Sequence, residues 1–438
     1  MGLKSERIQL GEGIYLNIIN ENKFKSNLLS YYFIRPLTKK EVTKNSLLSL
    51  VLKRGNNNFP NTIDLERKLE ELYGANLSLG INKRGEKHII RFTMEWAKSN
   101  YVGEKYDNEI IQILKELIFN PILENNAFLK KYVAQEKENL KRKIENKIND
   151  KDSYAMERCI EAMCNYERYG IYPLGYVEDL DEIDESNLYE HYKDVLKTSP
   201  IEIFYVGEVD DDILSYLRNY HDIERGEIVD IPDDVLIDSV NTKNIVIDEE
   251  DVNQGKLVIG YRAGIHHNER LYNPLLLVSD ILGGGPNSKL FKIVREKESL
   301  AYYISSSIFK YKSIMLISCG IEFNDFDKTV DLIKEQLDEL KDGKFSEEDI
   351  SKSIKSIKTN TESIRDSIFL ISEFFFSQLL SNDNRNLEQV LDDFQRVKKE
   401  EIIEAAKKIT MDTIYFMSNK TKKLEVKWWI IRKYTMKR

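Results

Sequence analysis

The 438-residue sequence predicts an α+β fold of two homologous halves, each a mainly antiparallel sheet covered by helices. Two observations carry this expectation. Apolar residues recur with period two in some runs and at helical spacing in others, and runs of one kind are grouped together. The order of elements then repeats. Residues 187–207 (NLYEHYKDVLKTSPIEIFYVG) and 400–419 (EEIIEAAKKITMDTIYFMSN) both read as a helix, a short turn and a closing strand. A duplicated unit of roughly 200 residues follows from that match.

In order along the chain, Ile14, Leu16, Ile18 and then Leu29, Tyr31, Phe33 alternate with polar positions, as half-buried strands do. An apolar helix is expected over 45–53, ending at Gly55. An amphipathic helix follows from Thr62, taken as its N-cap, with Leu65, Leu69 and Leu72 on one face. In HIIRFTMEW, Ile90, Phe92, Met94 and Trp96 face one side, and Arg91, Thr93 and Glu95 the other. Two long helices are expected over 108–118 and 125–168, then a YPLG turn at 172–175, a helix and a strand over 201–206. After an acidic stretch holding Pro232, the order recurs as a strand (KLVIGYRAG), an apolar helix (NPLLLVSDILGGG) and an amphipathic helix (SKLFKIVREKES). A hairpin (AYYISSS, SIMLISCG), long helices and a strand over 413–416 complete it. The expected division is residues 1–224, an acidic linker at 225–244, and 245–438.

Composition excludes several functions. The 74 Asp and Glu against 65 Lys and Arg repel a phosphate backbone, so no nucleic-acid partner is expected. Cys159, Cys164 and Cys319 form no C-x-x-C pair, which suits a reduced, cytoplasmic chain without a thiolate metal site. No segment reaches the length of a membrane helix, and Trp428-Trp429 lies in an apolar run too short for an anchor; no membrane partner is expected.

Few residues announce chemistry on their own. Neither H-E-x-x-H, H-x-x-E-H nor G-x-S-x-G occurs, and only five histidines are present. His266-His267 sits in a polar turn without a further ligand at metal spacing. Gly283-Gly284-Gly285, in GGGPNSK, lacks phosphate-loop spacing and reads as a hinge between helices whose backbone can also face a peptide. Glu136 falls in the apolar stripe of Phe128, Val133, Leu140, Ile144 and Ile148, where a carboxylate either needs a partner or turns sideways into water. Arg295 is placed on an amphipathic helix and Tyr302 at the start of the following strand. The first is a fork of donors for carbonyl or carboxylate oxygens, the second a donor for an oxyanion.

The run LGGGPNSKLFKIVREKESLAYYISSS resembles the C-terminal-half signature of the insulinase/pitrilysin and mitochondrial-processing-peptidase family of zinc peptidases. Arg54-Gly55, residues 69–75, YPLG and the strand-Gly-Glu-Val ending at 209 extend the likeness over nearly the whole chain. The resemblance implies the processing-peptidase-like fold, and its departure is informative. Where the family carries H-x-x-E-H, this chain has Ser46, Ser49 and Leu50, while the family's third ligand falls on Glu136. It therefore implies a degenerate zinc site, no metal and no catalytic residue in this chain. Arg295 and Tyr302 match the family's pair that holds the substrate carbonyl. The implied function is the non-catalytic, substrate-binding subunit of a heterodimeric zinc peptidase. Zinc would be carried by a homologous partner subunit, and a peptide or unfolded polypeptide would add as a strand to a sheet edge. The alternative is a peptide-binding scaffold of peptidase fold without a proteolytic role.

Overall fold

The computed structural model describes residues 3–219, 223–240 and 243–420, and its chain forms two compact units. The first takes its described residues from Met1–Asn146, Ile171–Asp233 and Ser363–Asn386; the second from Lys147–Gly170, Asp234–Glu362 and Leu387–Arg438. Each unit thus borrows one segment from the other half of the sequence.

The first unit holds strands β1 (Glu6–Gly11), β2 (Ile14–Asn20), β3 (Ser26–Pro36), β4 (Asn76–Arg84), β5 (Lys87–Ala97) and β6 (Ile201–Gly207). They lie in the order β1-β2-β6-β3-β5-β4, antiparallel except for β2 beside β6. The register sets Tyr31 opposite Phe92 and Phe33 opposite Ile90, so aromatic and branched side chains pair across the strands. This face, with Met94 and Trp96, packs against Leu47 and Leu48, Ile110 and Leu114, Val133 and Leu140, and Leu188 and Val195 of four helices.

The half-buried strands expected from the alternation are corrected here: β3 is buried on both faces. Leu28, Tyr32, Ile34, Phe204 and Val206 on the second face lie beneath Ile368, Ile371 and Phe376 of the helix Ile368–Leu380. Tyr32 stacks on Phe376 with ring centroids 3.9 Å apart and donates to Glu373 at 2.8 Å, which also accepts from Arg91 at 2.9 Å. An alternating sequence cannot show a cover that arrives more than three hundred residues later along the chain.

The second unit holds β7 (Asn244–Glu250), β8 (Gly255–Arg262), β9 (Ala301–Phe309), β10 (Ile314–Ile321) and β11 (Thr410–Asn419). Their order is β9-β10-β8-β11-β7, with β11 and β7 the parallel neighbours. Set beside β4-β5-β3-β6-β2, the two sheets share strand order and the position of the parallel pair, which is the duplication in structural form. Here the borrowed element is the helix Lys151–Met163, packed on β8 and β11. Gly260 makes room for it: a Cβ there would lie 2.7 Å from Met163 Sδ.

Three local expectations are also corrected. The continuous 125–168 helix is broken into Lys130–Glu145, a 3-10 turn Asn146–Asn149 and Lys151–Met163; Asp150 caps the last, accepting from the Ser153 N–H at 3.1 Å. The helix at 62 is capped by Asn61, not Thr62: its side chain accepts from the Asp64 N–H at 3.0 Å. The segment carrying Arg295 is a π-helical turn, Phe291–Lys297, in which the Glu298 N–H reaches back five residues to Ile293 O at 3.0 Å. Residues 223–240 contain neither helix nor strand. Among the described residues no helix is long and apolar enough to cross a membrane.

Candidate functional site

The helix Val42–Leu52 is buried almost all round, which is why its polar positions are small residues that bond inward. Ser46 Oγ donates to Pro173 O at 3.1 Å, and Ser49 Oγ bonds back to Ser46 O at 2.8 Å. Leu50 is half-buried and offers no donor or ligand atom. Glu136, on the helix Lys130–Glu145, is 6% exposed beside Val133 and Leu140, so it does face the core. Its partner is a cation: Arg54 Nε donates to Glu136 Oε1, and Asn139 Nδ2 donates to Oε2 at 3.1 Å. Of the two alternatives open from sequence, a buried and partnered carboxylate is the one found.

These four positions do not fit zinc. Two hydroxyls are spent on backbone carbonyls, one position is aliphatic, and the remaining carboxylate is neutralised by a guanidinium. Among the described residues no cluster of three or more His, Cys, Asp or Glu could hold a metal ion. His266 and His267 lie with ring centroids 4.0 Å apart, tilted by 39°, in their turn, where the His266 N–H donates to Glu269.

Next to Ser46 lies a network that sequence reasoning missed. Asn45 donates to His88 Nδ1 at 3.0 Å and accepts from His191 Nε2 at 2.8 Å, while His88 Nε2 donates to Pro173 O at 2.9 Å. Pro173 O, in the YPLG turn, thus receives both Ser46 and His88. Each ring is kept neutral by burial, which depresses His88 to about 4 and His191 to about 3. The three residues are far apart along the chain and match no ligand spacing, so the only signal was a histidine inside the apolar-patterned strand HIIRF.

In the second unit, the π-turn packs along β9. Arg295 is exposed on it, with Cζ 4.5 Å over the Phe291 ring, a contact that stiffens the side chain without occupying its fork of donors. Tyr302, 58% exposed, donates its hydroxyl to Glu322 Oε1 at 2.6 Å, and that bond to a carboxylate raises the phenol's pKa. Gly283 is buried, and a Cβ on it would lie 2.7 Å from Ser306 N in β9, so only glycine lets the helix Tyr272–Gly283 approach that strand. Gly284 ends the helix, and Gly285, at φ +151°, lies beyond it with open space where a side chain would go. They border a small cleft with Asp280, Lys352 and Ser353, where burial raises the Asp280 carboxyl above its usual range. Trp428 and Trp429 lie outside the described residues.

Residues 182–357 match the family described as "Peptidase M16 inactive domain". The chain is 37% identical over 408 residues to the probable inactive metalloprotease YmfF of Bacillus subtilis, covering 92% of this chain and 96% of that protein. A conserved protein from Enterococcus faecalis V583 has the same fold, with TM-score 0.87 and 29% identity over 95% of this chain and 99% of that one. The peptidase M16 inactive domain from Pseudomonas fluorescens superposes with TM-score 0.78 at 15% identity over 95% and 98%.

Proposed function

Because the chain belongs to the M16 peptidase family, as an inactive insulinase-like member, we propose that it is the substrate-gripping subunit of a two-chain zinc peptidase. The single observation that carries this reading is a contrast between the two candidate sites. The ligand positions are closed by Pro173 O and Arg54, whereas Arg295 and Tyr302 stand exposed, the Arg295 fork open to solvent and the Tyr302 hydroxyl held only by the surface carboxylate of Glu322. A relic would have no reason to keep a cation fixed by an aromatic ring beside a strand that presents a phenol.

In this reading Arg295 donates to a substrate carbonyl, and Tyr302 donates to the oxygen on which charge develops. To do so Tyr302 exchanges Glu322 for substrate, while Glu322 holds the phenol outward until then. The chain supplies no metal; a homologous zinc-bearing subunit is its partner, and a peptide or unfolded polypeptide is the substrate. The three free, buried cysteines suit a reducing compartment and hence a cytoplasmic location.

Co-expression with a homologous H-x-x-E-H chain, followed by peptidase assay of each chain and of the mixture, tests the proposal. The mixture should cleave, each chain alone should not, and Arg295→Ala in the mixture should cost about a hundredfold in kcat/KM. A mixture as inactive as its parts, with peptide still bound, favours the scaffold reading instead.

A further inference from the structure

The backbone around Arg295 and Tyr302 leaves regular geometry three times within residues 291–302 of the second unit. The turn Phe291–Lys297 is π-helical, and its end is widened by the same extra residue. The Leu300 N–H reaches back six residues to Val294 O at 2.9 Å, where the usual left-handed helix ending spans five. Ser299 makes that ending. Its φ is +53°, it is exposed, and it holds without glycine a conformation that is strained for an L residue. Beyond it, Ala301 pairs with Ile321 and Tyr303 with Gly320, so Tyr302 is an extra residue in β9, a β-bulge.

The bulge changes which way the phenol faces. Ile304 is buried, and Ser306 Oγ lies 2.8 Å from Ser279 Oγ of the helix Tyr272–Gly283, so the even-numbered positions of β9 face the core. In a strand without the bulge, alternation would put Tyr302 on that side and Ala301 on the other. Instead Ala301 takes the inner place at 7% exposure and Tyr302 stands outside at 58%. Gly320, opposite, fits this arrangement, since a Cβ there would lie 2.6 Å from the Tyr303 ring. On the helical side, Leu290 and Val294 stay fully buried while Arg295 lies exposed over Phe291. Each irregularity turns one donor outward, and Ser299 is the joint between them. A core built for stability alone has no use for a strained serine or for an aromatic ring taken out of it.

We propose that Ser299 is a positioning residue, whose left-handed backbone sets the Arg295 guanidinium and the Tyr302 hydroxyl toward one bound peptide. This rests on the substrate-gripping reading above and deepens it by naming what holds the two donors in place.

A double-mutant cycle on the kcat/KM of the full chain mixed with a homologous zinc-bearing subunit tests this, at a temperature where every form is folded. Ser299→Val, whose branched side chain resists a positive φ, should lower kcat/KM about ten- to a hundredfold by misplacing the pair. Ser299→Gly, which accepts the left-handed backbone, should stay within about twofold of native while its Tm holds or rises. In the Arg295→Ala background, Ser299→Val should cost several times less than in the native chain, because part of what it misplaces is already gone. If Ser299→Val does not fold, Ser299→Ala resists the same φ more mildly and should show the same pattern with a smaller loss. A mixture that cleaves equally well with Ser299→Val, or loses as much with Arg295 absent as present, overturns the positioning role and leaves the gripping reading standing. A native mixture that does not cleave overturns both.

Discussion

Removing Arg54 while leaving Glu136 is the sharpest perturbation of the proposed degenerate centre. The Arg54 side chain is 25% exposed and Glu136 only 8%, so Arg54→Met strands a carboxylate in an apolar stripe from which water is largely excluded. Breaking a fully buried pair costs about 3–5 kcal/mol. Arg54's partial exposure lets some water follow, and Asn139 still donates, which brings the expected loss to about 2 kcal/mol. Glu136→Leu removes the charge and restores the stripe, so it should fall within about 1 kcal/mol of the native chain. The double variant should recover most of the loss seen in Arg54→Met alone. Urea unfolding followed by fluorescence of Trp96, buried in the same unit, measures all four chains once Trp428 and Trp429 are changed to Phe. For a unit of this size the single variant should lower Tm by about 4–8 °C. Costs that simply add within about 0.5 kcal/mol would refute the claim that a cation stands in the metal's place.

Gly283→Ala should destabilise the second unit by about 1–3 kcal/mol, because its Cβ meets Ser306 backbone that cannot step aside; calorimetry of the full chain would register it. His88 is buried and neutral, so the unfolded chain takes up protons below about 6.5 that the folded one refuses. Stability should therefore fall as pH drops from about 6.5 to 4, at up to about 1.4 kcal/mol per pH unit for each such ring; burial depresses His191 as well, so His88→Gln should remove about half of that slope. Tyr302→Phe frees Glu322 at the surface and should leave thermal stability within about 0.5 kcal/mol while reducing cleavage by the mixed peptidase about as much as Arg295→Ala does.

Much of the sheet could be read from alternation. The hairpin of β9 and β10, the apolar helix before it and the matched closing strands β6 and β11 lie where period and turn residues put them. What could not be read depended on partners distant in sequence. Glu136 stood out locally as a carboxylate among Val133 and Leu140, but Arg54 lies eighty-two residues away and no spacing links them. The break at 146–150 hid inside a stretch that keeps good helix formers on both sides, so only the Asx cap betrays it. The π-turn was equally hidden, since one extra residue per turn leaves the apolar pattern of 288–299 nearly unchanged. The exchange of Lys151–Met163 and Ile368–Leu380 between units was invisible because the apolar face of each helix (Ala155, Cys159, Ile160 and Met163; Ile368, Ile371 and Phe376) says that it covers a sheet but not which one.

The proposal that this chain grips a substrate cut by another chain stands or falls on the kcat/KM of a mixture with a homologous zinc-bearing subunit, measured with native and Arg295→Ala forms of this chain. The expected result is activity in the mixture alone, falling about a hundredfold with Arg295→Ala. Cleavage by the zinc chain that is equally fast with the native form, with Arg295→Ala or with nothing added would contradict it.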